Sequence, residues 1–76
     1  MSADNAIAVV KLGENDWRVR EIGCSQMWTR GDFTDRPQYK SREEALEAAW
    51  AMEEENWTEY GLMETDLTTG DYEPFA

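Results

Sequence analysis

The chain contains no histidine, one cysteine, two prolines and, beyond Arg42, no basic residue at all. Each shortage excludes something. Histidine is the usual agent of general acid–base work near neutral pH, and without it the remaining nucleophile, Cys24, has only lysine or arginine to draw on as a base. Cys24 is therefore read as an unreactive thiol, and the chain as a protein that is not an enzyme. A single cysteine also cannot close an internal disulfide, and a structural zinc site needs cysteine and histidine ligands that are missing. Asp66-Leu67-Thr68-Thr69-Gly70-Asp71 lacks the alternating oxygen ligands and closing glutamate of a calcium loop, so no metal and no cofactor are expected. No apolar run approaches the roughly 20 residues that span a bilayer. Residues 1 to 5 lack the basic-then-apolar pattern of a signal peptide, and the expected location is the cytoplasm.

What the chain does have is charge, sorted by sign. Residues 1 to 42 hold six acids and all seven bases, whereas residues 43 to 76 hold eleven acids, so that the net charge of −10 is +1 in the first part and −11 in the second. Such a distribution costs stability through self-repulsion, repels nucleic acid and anionic membranes, and attracts basic surfaces. The 76 residues are expected to form one domain with a small core, to which nine aromatic side chains contribute.

The apolar run Ala6 to Leu12, bounded by Gly13, reads as a central strand, and the alternating Trp17 to Ile22 as a second strand joined to it in a hairpin. From Gly23 to Pro37 the pattern dissolves, with room for one short strand around Met27 to Thr29. Pro37 to Lys40 reads as extended. Ser41 and Glu44 have capping-box spacing, so a helix is predicted from Arg42 through the strong helix formers Glu43 to Glu55. Ala45, Leu46, Ala49, Met52 and Asn56 share its apolar face, Trp50 and Trp57 border it, and Glu43, Glu44, Glu47, Glu54 and Glu55 lie opposite. Glu53 falls between the two tryptophans, which implies either fraying or a partly exposed aromatic rim. Tyr60 to Leu67 alternates as a last strand. The predicted fold is α+β, a small antiparallel sheet of three or four strands packed by one amphipathic helix.

Aromatic residues beside Arg18, Arg20, Arg30 and Arg36 have the chemistry to stack on bases. Affinity for a polyanion nevertheless comes chiefly from cations, and here acids outnumber bases by ten. Direct nucleic-acid binding is therefore not expected, and the arginines are expected to pair with Glu43 to Glu55. The reverse reading, imitation of nucleic acid, has a quantitative basis: six glutamates over about 18 Å of helix approach the one charge per about 3.4 Å of a DNA strand. The candidate partner-binding residues are Glu43, Glu47, Glu54, Glu55, Glu59, Asp66 and Asp71 with Trp50 and Trp57.

The start Met1-Ser2-Ala3-Asp4-Asn5, the strand Trp17-Arg18-Val19, the helix opening Ser41-Arg42-Glu43-Glu44-Ala45, its end Glu53-Glu54-Glu55 and the following Glu59-Tyr60-Gly61 together resemble a group of small bacteriophage and prophage proteins. Members commonly carry glycine where this chain has Ala6. The resemblance implies a viral origin and, by analogy with small acidic phage proteins, an inhibitor of anti-CRISPR or antirestriction type. Its partner would be a protein with a basic, nucleic-acid-binding surface, such as a CRISPR effector or restriction complex. The alternative is an adaptor or homodimer that binds through the tryptophan rim.

Overall fold

In the computed structural model, which describes residues 4–24 and 26–72, the opening apolar run becomes β1 (Asn5–Gly13), the central strand of a three-stranded sheet, with the second strand in sequence on one side and the third on the other. Ala6 to Val10 are all fully buried. Near-continuous apolarity is needed because both faces of the sheet are covered: Ile7 and Val9 enter one core, Ala8, Val10 and Leu12 the other. Strand β2 (Asp16–Gly23) returns antiparallel after a turn at Glu14 and Asn15, with Val9 opposite Val19 and a register shift between Lys11 and Gly13.

Helix α1 (Arg42–Asn56) lies over the Ile7, Val9 and Val19 face and buries Ala45 and Ala49 there, with Leu46 and Met52 packed beside them. Its start follows the sequence pattern: the Ser41 hydroxyl accepts from the Glu44 N–H at 3.2 Å. The reciprocal arm is displaced by one residue, since the Glu44 carboxylate accepts from the Lys40 N–H at 3.2 Å. Packing against the sheet stops at Met52, and Asn56, expected on the apolar face, is exposed.

The α+β architecture is as expected, but the sheet is mixed where a wholly antiparallel one was predicted. Tyr39 pairs with Trp17, which lies opposite Lys11 near the far end of β1, and the chain enters the helix from there. It leaves at the near end, where the Tyr60 N–H donates to the Asn5 carbonyl at 3.1 Å. One helical pass thus returns the chain to where β1 began, and β3 (Leu62–Asp66) runs parallel to β1 from Ile7 opposite Leu62 to Lys11 opposite Asp66. Strand patterning carries no sign of this, because direction is set by the length of the crossing element.

The strand expected around Met27 to Thr29 contracts to a single bridge between Trp28 and Tyr72. Thr29 instead caps a 3-10 turn at Arg30–Asp32, in a complete capping box with Asp32. This segment covers the second face of the sheet, where Trp28, Phe33 and Leu67 are fully buried. The Trp28 ring lies 5.2 Å from that of Tyr72 and 6.4 Å from that of Phe33, and its indole N–H donates to the Gly23 carbonyl at 3.1 Å. The buried indole is thereby satisfied.

Candidate functional site: an acidic helix face with an aromatic edge

The electrostatics follow from where the arginines go. Arg18 projects from β2 into the segment covering the second face, and its Nη1 donates to the carbonyls of Phe33, Thr34 and Arg36 at 3.2, 2.9 and 2.8 Å. Asp16 holds the guanidinium from the other side at 2.6 Å, and the arginine side chain is only 13% exposed. Arg20 donates to the Asp32 carbonyl, and Arg30 to the carbonyls of Leu12 and Leu67 at 2.9 and 2.8 Å. Arg36 pairs with its neighbour Asp35. The expected pairing of arginines with the helix glutamates is therefore not what the fold does: irregular backbone under a sheet leaves carbonyls that strand and helix ladders cannot satisfy, and the arginines are used on those. A single arginine, Arg42, ties the helix to the sheet, through Glu64 at 2.6 Å. That contact holds the Glu64 carboxyl below its ordinary range and raises Arg42.

Consequently Glu43, Glu44, Glu47, Glu54 and Glu55 all stand exposed on α1, and among the described residues none forms an ion pair. The five lie within about 18 Å along the helix axis. Glu53 does not join them. It is partly buried and its carboxylate turns past the helix end, accepting from the Thr58 hydroxyl and, at 3.2 Å, from the Thr58 N–H. The charge between the two tryptophans thus closes the helix C-terminus.

The remaining acidic candidates are not brought onto this face. Asp66 caps a turn, accepting from the Thr68 N–H at 2.8 Å and from its hydroxyl at 2.5 Å, contacts that lower its pKa. Asp71 accepts from the Arg30 N–H at 3.2 Å, on the segment packed against the opposite face of the sheet. Glu59 is exposed beyond the helix C-terminus, and its own N–H donates to the Asn5 side chain at 3.2 Å.

Both tryptophan candidates are open to solvent, Trp50 at 58% and Trp57 at 84%, with Tyr60 at 54% nearby in the chain. Stepping about 100° per residue places Trp50 in the same outward arc as Glu43, Glu47 and Glu54. Trp57 occupies the C-cap in the left-handed region, φ 53° and ψ 61°, and is the only non-glycine residue with positive φ among those described. Glycine or asparagine ordinarily fills that position, and a bulky side chain there is strained. Tyr39, Glu44 and Tyr60 are not among the site residues expected from sequence, although Glu44 carries two legible signals there, its capping-box spacing and its place on the acidic helix face.

Cys24 is partly buried with its Sγ 3.5 Å from the Met63 sulfur. Burial, with Asp4 and Glu59 adding to it, pushes the thiol pKa up, away from the thiolate needed for nucleophilic attack.

No family of known proteins, no curated protein and no solved structure matches this chain.

Proposed function

We propose that the protein is a non-catalytic inhibitor that docks the outer face of α1 onto a basic, nucleic-acid-binding surface of another protein and competes there with the nucleic acid. The observation that carries this reading is the row of five exposed helix glutamates that have no ionic partner among the described residues, in a chain whose arginines are committed elsewhere. A folding role would have been served by pairing the two sets; their separation leaves about one outward charge per 4 Å of helix, near the spacing of phosphates along a strand. A host defence complex of bacteria, CRISPR effector or restriction system, is the partner class implied by the phage-like motifs. The direct test is to capture partners from a bacterial lysate on the immobilised protein and then to add the free protein to the captured partner loaded with labelled DNA. Displacement of the DNA is expected; a ternary complex that retains it would contradict competition.

A second reading is favoured by Trp57, whose exposed ring sits on a backbone conformation that opposes it. Here the protein is an adaptor or homodimer joined through Trp50, Trp57 and Tyr60. Ionic strength separates the two, because charge-led binding weakens steeply between low and moderate salt while an aromatic hot spot hardly responds.

A further inference from the structure

Between Tyr39 and the first two turns of α1 the surface forms an open groove of about 400 Å³, lined by Tyr39, Glu44, Glu47 and Ala48. Its composition is specific in chemistry. The lining brings together one aromatic side chain, two carboxylates and the small Ala48. Glu44 spends one oxygen, Oε1, on the Lys40 N–H, and no contact among the described residues occupies the second. Glu47 has no hydrogen-bond or ionic partner among them. Lys40, the base next to Tyr39 in sequence, forms no ion pair with any of the described residues. About one turn beyond Glu47, Trp50 is an exposed ring on the outer arc of the helix.

The geometry points to this groove as the seat of one arginine side chain of the protein partner, its guanidinium gripped by Glu44 and Glu47 and its flat face and stem laid against Tyr39. The assignment rests on the acidic-face reading above and adds to it a place and a residue type. Charge complementarity selects a cation. The pairing of an aromatic with two carboxylates selects arginine over lysine, because a planar guanidinium stacks on a ring and donates two parallel hydrogen bonds, whereas an ammonium is a compact point charge with a tighter hydration shell. The groove is shallow and open, which suits a side chain delivered from another surface and not a small molecule that must be enclosed.

The probe is a short oligo-arginine peptide, compared with an oligo-lysine peptide of the same length, titrated into the intact protein at low salt and followed by NMR. Binding of the arginine peptide is expected to shift the Tyr39 ring and Ala48 methyl resonances, and the lysine peptide to bind more weakly with little change at Tyr39. The paired variant E44Q/E47Q should lose about tenfold in affinity for the arginine peptide, against a smaller loss of about threefold for E54Q/E55Q, which removes the same charge from the acidic face outside the groove. Because Glu44 also supports the helix start, E47Q alone is measured beside the pair and is expected to weaken binding in the same direction. Equal losses in the two paired variants, or equal binding of both peptides without a shift at Tyr39, would overturn the groove and leave the acidic-face reading standing. Failure of either peptide to bind at low salt would overturn both.

Discussion

At the scale of single residues, the two ends of α1 are built in opposite ways. Ser41 is a conforming N-cap, and Ser41→Ala should lower stability by about 1 kcal/mol, measured by urea unfolding; an unchanged midpoint would contradict the cap. Trp57 is a non-conforming C-cap, because it holds a large side chain at φ 53° while leaving that side chain 84% exposed. Replacing it with glycine removes the strain and few contacts. Even after the added freedom of glycine in the unfolded chain is deducted, Trp57→Gly should raise stability by about 0.5–1 kcal/mol. A residue that opposes the fold and is not used by it is the kind retained for binding, so the same variant should be the weaker binder if the aromatic edge takes part. A fall in the urea midpoint would show instead that the ring is held by contacts the fold depends on.

At the scale of elements, patterning located the three strands, the β1–β2 hairpin and α1, but neither the direction of β3 nor the 3-10 turn at Arg30–Asp32. The runs Ala6 to Leu12, Trp17 to Ile22, Glu43 to Glu55 and Tyr60 to Leu67 contain or overlap β1, β2, α1 and β3, since alternation, helical spacing and the Ser41 cap are local properties. Strand direction is not local, and so the parallel pairing of β3 was illegible. The stretch from Gly23 to Pro37 was illegible for a different reason: Arg18 and Arg20 reach from β2 to carbonyls of residues 32 to 36, and Arg30 reaches out to those of Leu12 and Leu67, contacts that leave no period in the sequence. The same contacts explain why the exposed glutamates were read correctly as a face and incorrectly as arginine partners. If Arg18 is the anchor of that segment, Arg18→Ala strands three carbonyls and should cost about 2–3 kcal/mol, with Trp28 fluorescence and hydrogen exchange over residues 33 to 36 reporting the loosened cover. A loss below about 0.5 kcal/mol would mean that the cover is held by Trp28 and Phe33 packing alone.

At the scale of the whole molecule, the fold keeps apart charges that it had the means to neutralise. None of its described helices is long and apolar enough to cross a membrane, and α1 presents Glu43, Glu44, Glu47, Glu54 and Glu55 outward. Glu64 and Asp66, whose folded-state pKa values are lowered by Arg42 and by Thr68, contribute stability that is present above their unfolded-state values and lost as pH falls through the folded-state ones. The acid limb of the stability curve should therefore lie below the ordinary carboxylate range, and Glu64→Gln should flatten it; an unaltered limb would remove Glu64 from the account. The central claim, that a localised acidic face does the binding, is tested most directly by comparing two triple reversals. Glu43, Glu47 and Glu54 changed to lysine, and Glu14, Glu21 and Asp35 changed to lysine, each alter the net charge by six units, from −10 to −4. Asp16 and Asp32 are left alone in the control because they hold Arg18 and cap the 3-10 turn. Affinity for the captured partner, with the fold verified by circular dichroism, should collapse by at least about a hundredfold in the helix set and change by less than about threefold in the control. Retained binding in the helix set, or equal losses in both, would contradict it.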